Sequence, residues 1–276
     1  MAVSQTTLKK ELNFSGIGLH TGKKVNLNVK PAALGTGIVF FVKGKKIKAS
    51  VGNISDGSFS VTLKSGKAKI MTVEHLLAAL FAMGVENVEC HLDSAEVPIM
   101  DGSSYPFALA IKRSGLKTLK AVSRDLKIND AIAVEDGDRV IMALPAKVLK
   151  IRCRVSYPHP LIGRQKREFL VTPKRFLKEI AKARTFGWKE QVLIQKNKDL
   201  IKGASVNNAV YFGKKKVLNK EGLRYKDEVV RHKILDILGA LALLSGRLKA
   251  HIIANKSGHA LDLELTRRIS CQNSRK

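Results

Sequence analysis

The stretch VVRHKILDILGALALLSGRLKAHIIANKSG, residues 229–258, decides the fold. Its first half is apolar at most positions, as a buried helix requires. Gly246 reads as a stop, and residues 248–254 then read as a strand. Within the helix His232 and Asp236 stand four residues apart, so they lie one above the other on one face. Ala240 continues that row, while Ile234, Leu235, Ile237 and Leu238 cover much of the remaining surface. A polar stripe on an apolar helix has two readings: a satisfied core hydrogen bond, or part of a metal site.

The same unit occurs earlier. TVEHLLAALFAMGVENVECHLD, residues 72–93, reads as an apolar helix, a stop at Gly84 and an alternating strand. Strand-like segments precede both helices: KVNLNVKPA and FSVTLKSGKAKIM before the first, DRVIMALP and KVLKIRCRV before the second. A strand-rich run, a helix and a strand, used twice, predicts two α+β units, each a sheet with helices on one face. The join falls near residues 117–123, which gives units of 1–120 and 121–276. Residues 185–218 break the repeat. They hold an amphipathic pattern over 188–196 and a strand-like NNAVYF, and read as an insertion around 186–218 of the second unit.

Composition narrows the setting. No run of eighteen apolar residues offers a membrane-spanning helix, and the first twenty residues carry no apolar signal core. Cys90, Cys153 and Cys271 are scattered with no CxxC pair, as expected of a cytoplasmic protein without a disulfide framework. The net charge of +27 attracts anions of any kind: nucleic acid, an acidic membrane surface or a phosphorylated substrate. The charge does not choose among them; with 5% aromatic residues no run resembles an aromatic-basic RNA-binding motif, a solvated basic surface is the plain account of most of the charge, and it is the long motifs described below that leave no nucleic-acid partner expected.

Both repeat helices carry a His near the start, His75 after Glu74 in one and His232 before Asp236 in the other. If the units face each other, His75, His232 and Asp236 meet. Three nitrogen and oxygen ligands with a fourth position open is the pattern of a catalytic zinc. Glu74 beside a ligand could serve as a base, although an acidic residue at a helix start is also ordinary. His259 follows Ser-Gly in NKSGHALDLEL, on an expected turn, where an imidazole suits general acid work or is simply a surface residue. Thr185 in ARTFGW offers a hydroxyl that could donate to an oxyanion.

Taken in order, GIGLHTG, TVEHLLAAL, EVPIMDGS, ARTFG, VRHKILDILG and KSGHALDLEL resemble the motifs of the UDP-3-O-acyl-N-acetylglucosamine deacetylases, zinc enzymes of bacterial lipid A synthesis. The resemblance spans about residues 7–269. It implies two similar two-layer α/β sandwich domains packed face to face, with one zinc between them, an iron(II) ion being an alternative. It implies that His75, His232 and Asp236 hold the metal, that Glu74 takes a proton from the attacking water, that His259 protonates the leaving amine or steadies the charged intermediate, and that Thr185 hydrogen-bonds the oxyanion. Lys233 would face the substrate, Leu19 and His20 its entrance, and Phe186 and Trp188 an apolar passage for the acyl chain. Arg139 stands where a nucleotide-contacting Lys is common. Read from the residues alone, Val192, Leu193 and Ile194 could supply that passage, although an apolar helix face packed on a sheet has the same pattern. The implied enzyme is a cytoplasmic monomer whose charge suits an anionic substrate and peripheral contact with an anionic membrane.

The departures from the family pattern are specific. Ala240 stands where an Asp usually supports the catalytic His, which implies a slower enzyme, one compensated by another acid, or an impaired relative that binds an anionic partner. Ser156 replaces a usual Asp and Trp188 a usual Phe. The final CQNSRK is expected to be a disordered tail.

Overall fold

A computed structural model describes residues 3–197 and 200–274, without the side chains of 193 and 195–197. The fold is α+β, and the repeat is visible in its topology. The first sheet runs, from edge to edge, Leu12–Ile17, Lys24–Pro31, Val88–Leu92, Ile38–Val42 and Lys45–Lys48. The second runs Ile132–Asp136, Arg139–Pro145, Arg247–Asn255, Lys150–Tyr157 and Gly163–Leu170, with a sixth short strand, Asp125–Lys127, paired parallel to the start of Arg247–Asn255. Each is two hairpins with a late strand slotted between them. That late strand is antiparallel to one neighbour and parallel to the other in both sheets. In each case it arrives by way of an apolar helix, Glu74–Met83 in the first half and Glu228–Leu241 in the second. A second helix follows, Tyr105–Ser114 or His259–Ser274.

Alternation explains why one sheet face is covered. Val25, Leu27 and Val29 are buried with Val88, Cys90 and Leu92 in the first sheet. Leu248, Ala250, Ile252 and Ala254 do the same with Ile151, Cys153 and Val155 in the second. Cys90 and Cys153 are core residues, Cys271 is exposed, and none is bonded to another. The stretch 117–123, where the sequence suggests a join, falls largely in a strand, Leu116–Val122, paired antiparallel with Ser4–Leu8.

Several expectations need correction. Gly84 does end its helix in the left-handed conformation, but the second site helix passes into a 3₁₀ turn and Ser245 takes the left-handed position, not Gly246. Gly246 is needed for a close approach, since a Cβ there would lie 2.9 Å from the Arg124 carbonyl oxygen. The segment FSVTLKSGKAKIM joins no main sheet. With Ile54–Asp56 it forms a separate three-stranded sheet, a second insertion that alternation alone does not distinguish from a repeat strand. His259 is not on a loop but opens a helix. The closing residues are no tail either: the same helix continues to Ser274, and Asn273 donates to the Lys127 carbonyl. Arg275 and Lys276 lie outside the described residues. The insertion helix is Lys189–Asn197 and its strand Val210–Phe212, close to expectation.

The two site helices cross against each other. At the crossing Gly239 faces the first residue of the other helix. A Cβ on Gly239 would sit 2.5 Å from the Glu74 carbonyl oxygen and 2.9 Å from its Cα, both backbone atoms that cannot swing aside. Glycine inside a helix costs about 1 kcal/mol relative to alanine, so its place here follows from close approach. Gly239→Ala therefore gains helix propensity and still loses stability, by roughly 1–3 kcal/mol in denaturant unfolding. A stability equal to or above that of the parent would show that the crossing tolerates a side chain.

Candidate active site

The crossing brings the polar stripes of both helices to one place. His75 and His232 meet edge to face, with ring centroids 5.0 Å apart. The ligand atoms of His75, His232 and Asp236 all lie within 4.8 Å of one another, and all three residues are buried. Among the described residues no other His, Cys, Asp and Glu group of this kind forms.

The set is prepared by its surroundings. His232 donates through Nδ1 to the Ala183 carbonyl at 3.1 Å, which leaves the Nε2 lone pair free and aims it at Asp236 Oδ1, 3.3 Å away. That oxygen has no hydrogen-bond partner, nor has His75 Nδ1. Burial holds both imidazoles below their ordinary range, His75 at about 3, so both are neutral. Buried lone-pair atoms without donors are costly in isolation. Two neutral imidazoles and a carboxylate in that condition suit a divalent cation such as zinc.

Asp236 is ionised. Burial would raise its carboxyl, but the Lys233 ammonium 2.8 Å from Oδ2 more than offsets this and holds it low. Burial equally opposes the charge on Lys233, and Asp236 restores it above its usual value. The ammonium also lies 5.7 Å from the centre of the Phe186 ring. Glu74 is buried beside them and accepts from the Val61 amide at 3.0 Å. Burial, with Asp236 adding to it, pushes the Glu74 carboxyl up to about 8. Burial likewise takes His259 down to about 4.

These groups form the floor of a cavity of about 290 Å³. Glu74, His75, His232, Lys233, Asp236, His259, Thr185, Phe186, Leu19 and His20 all line it. Val192 does too, whereas Ile194 points to solvent and the Leu193 side chain lies outside the described part. Trp188 stands behind the wall, packed on Tyr157 at 5.2 Å and on Phe186 at 5.8 Å. Arg139 is also outside the lining; it pairs with Asp136 and donates to the Lys256 carbonyl. A wider groove of about 520 Å³ on the first sheet contains no comparable set of ligands.

Three supporting residues escaped the sequence reading. Arg184, wholly buried, donates to Glu228 at 2.9 and 3.2 Å, to the Gly222 carbonyl and to Glu221. It thereby ties the segment carrying Ala183 and Thr185 to the start of the His232 helix. Glu96, also fully buried, accepts from the His20 and Thr21 amides at 2.8 and 2.9 Å and from the Thr72 hydroxyl at 3.0 Å. It holds the entrance loop, and it holds Thr72, whose φ of 57° is unusual for a β-branched residue. The insertion closes over that loop, with Lys202 and Gly203 amides donating to the His20 and Leu19 carbonyls. Tyr157 is the third, a cavity residue at the end of the strand Lys150–Tyr157 and in none of the quoted motifs. Glu96 lies within EVPIMDGS and Arg184 within ARTFG, so the motifs contained both, but neither has a helical spacing that reveals its partner.

The family model for UDP-3-O-acyl N-acetylglycosamine deacetylase (LpxC) matches residues 5–270. A UDP-3-O-acyl-N-acetylglucosamine deacetylase of Citrifermentans bemidjiense is 40% identical over 277 residues, covering 98% of this chain and 91% of its own length. Enzymes of the same name are 41% identical in Solibacter usitatus, covering 96% of this chain and 90% of the relative, and 39% identical in Myxococcus xanthus, covering 96% and 86%.

Two substitutions test the supporting residues. Arg184→Met leaves the buried Glu228 charge without its partner and lowers stability by about 3–5 kcal/mol in denaturant unfolding. Glu96→Gln puts an amide NH₂ against one of the two backbone N–H donors, and costs about 1–3 kcal/mol with a raised KM from a loosened entrance. Unchanged unfolding midpoints would remove each residue from the site's support.

Proposed function

The chain belongs to the UDP-3-O-acyl-N-acetylglucosamine deacetylase family, and on that premise we propose that it is a zinc-dependent amidohydrolase. It removes the N-acetyl group from UDP-3-O-acyl-N-acetylglucosamine, releasing acetate and a free amine in the committed step of lipid A biosynthesis. The observation that carries this reading is the convergence of His75, His232 and Asp236 within 4.8 Å beside a buried Glu74 at the floor of the cavity.

His75, His232 and Asp236 would hold the ion, zinc first and iron(II) as the alternative. When bound, the cation supplies Lewis acidity, polarising the acetamide carbonyl, lowering the pKa of water and favouring the ionised form of nearby carboxyls. The remaining work belongs to side chains. Glu74 takes a proton from the water that attacks the carbonyl carbon. Its raised value places it where a carboxyl exchanges protons near neutrality. Thr185 donates to the developing oxyanion. As the C–N bond breaks, His259, charged by first taking up a proton at Nε2, delivers that proton to the departing nitrogen and returns to its neutral form. Lys233 keeps Asp236 ionised and adds positive charge where negative charge develops. Phe186, Val192, Tyr157 and Tyr211 make the apolar wall along which an acyl chain lies. Leu19 and His20 border the entrance, with Trp188 backing Phe186 and Arg139 placed nearer the terminal helix to meet phosphate.

We read the two sheets as two domains, 1–120 and 121–276, with the site between them and the insertion around 186–218 serving as its cover. No described helix is long and apolar enough to cross a membrane. The proposal extends to a cytoplasmic bacterial monomer, its net charge of +27 favouring the anionic UDP sugar and peripheral contact with an anionic membrane rather than nucleic acid.

The experiment is amine release from UDP-3-O-acyl-N-acetylglucosamine by protein stripped of metal and titrated with zinc. Activity is expected to rise to a plateau at about one equivalent. Glu74→Ala is expected to lose at least about 100-fold in kcat while still binding zinc. Tight zinc binding with no turnover by the unaltered protein would replace the enzyme reading with a binding role.

A further inference from the structure

Asp262 is the buried acid that the reaction scheme leaves unused. It is 1% exposed, and neither carboxylate oxygen has a hydrogen-bond partner. It sits three residues after His259 on the helix His259–Ser274, so the two side chains share a face, with Cβ atoms about 5–6 Å apart by helix geometry. His259 presents one edge of its ring to the cavity, while Nδ1 is sealed inside and also lacks a partner. An orphan nitrogen and an orphan carboxylate therefore lie one helical turn apart.

The other groups facing Asp262 do not claim it. Lys233 is paired with Asp236 at 2.8 Å, and Arg139 with Asp136 and the Lys256 carbonyl. Asp236 repels it, and Cys153 is a buried thiol on the neighbouring sheet. The Ser257 hydroxyl faces it and is itself unpartnered. Ser257 O–H and His259 Nδ1–H thus match the two carboxylate oxygens. On the adjacent helix the polar row His232, Asp236 ends in Ala240, buried and without an acid.

We propose that Asp262 is a positioning residue that accepts a hydrogen bond from His259 Nδ1–H, directly or through one water, and so replaces from the terminal helix the carboxylate missing at Ala240. The proposal rests on the deacetylase reading for the role of His259, but not for the contact itself. With Nδ1–H anchored, the ring orientation is set and Nε2 is the nitrogen left to serve the leaving amine. Lys233, Asp236 and His232 face the imidazole from the adjacent helix, where the Asp236 oxygens are turned to other groups, Oδ1 to His232 Nε2 at 3.3 Å and Oδ2 to Lys233 at 2.8 Å.

Two measurements test it. Nitrogen-15 NMR of histidine-labelled, metal-free protein at neutral pH, assigned with His259→Gln, is expected to show His259 as the single Nδ1–H tautomer. In Asp262→Asn it becomes a tautomer mixture. Kinetically, Asp262→Asn is expected to lower kcat roughly 100-fold with KM within about twofold, and adding Ala240→Asp to recover at least about tenfold of that loss. An Nε2–H tautomer or a mixture in the unaltered protein overturns the proposal even if Asp262→Asn fails to fold. So does an Asp262→Asn enzyme with kcat within about threefold of the parent. If the unaltered protein releases no amine, the function reading fails while the tautomer still decides this contact.

Discussion

The crossing of Glu74–Met83 over Glu228–Leu241 is the constraint on which the site depends. Each helix is apolar enough to be buried in its own half, and each carries a short polar stripe that neither half can satisfy alone. Gly239 lets the second helix come down on the backbone of Glu74, so the stripes meet. Everything chemical follows from that contact. The imidazoles are neutral because they are buried, the carboxylate stays ionised because Lys233 is beside it, and the lone pairs converge because two backbones are close.

Burying so many polar groups is expensive, and the structure answers with a second layer of fixed partners. Arg184 and Glu228 neutralise each other with no access to water and, in doing so, set the Ala183 carbonyl that orients His232. Glu96 gathers three donors from the entrance loop and from Thr72, just ahead of the first site helix. The insertion is latched to that loop through backbone hydrogen bonds, which join the apolar wall to the entrance. Such arrangements hold reactive groups in place before a substrate arrives, which is where electrostatic catalysis gains its advantage.

Much of the fold was legible because its signals are local. Helix–stop–strand recurs in 72–93 and 229–258, and periodicity reports it directly. The same locality explains the errors. Gly246 was read as a cap because glycine commonly is one, but Ser245 takes the left-handed position and Gly246 answers a neighbour at Arg124. The hairpin at Thr62–Ser65 and Ala68–Ile70 alternates like any strand and gives no sign of which sheet it joins. His259 looked like a turn residue because Ser-Gly precedes it, while the helix after it depends on packing against the rest of the second half.

By itself the sequence determined the repeat, the apolar faces, the His–Asp spacing on one helix face and the family motifs, because these depend on residues near one another in the chain. Tertiary structure alone decided that His75 meets His232, that Arg184 finds Glu228, that Glu96 collects the entrance loop, and that Asp262 and Ala240 lie on packed neighbouring helices. Those pairings join positions from about 20 to 160 residues apart, and no periodicity of a helix or strand extends over that distance. The histidines meet because two buried helices can pack closely at one glycine, and the other buried polar groups must find partners wherever the fold brings them together.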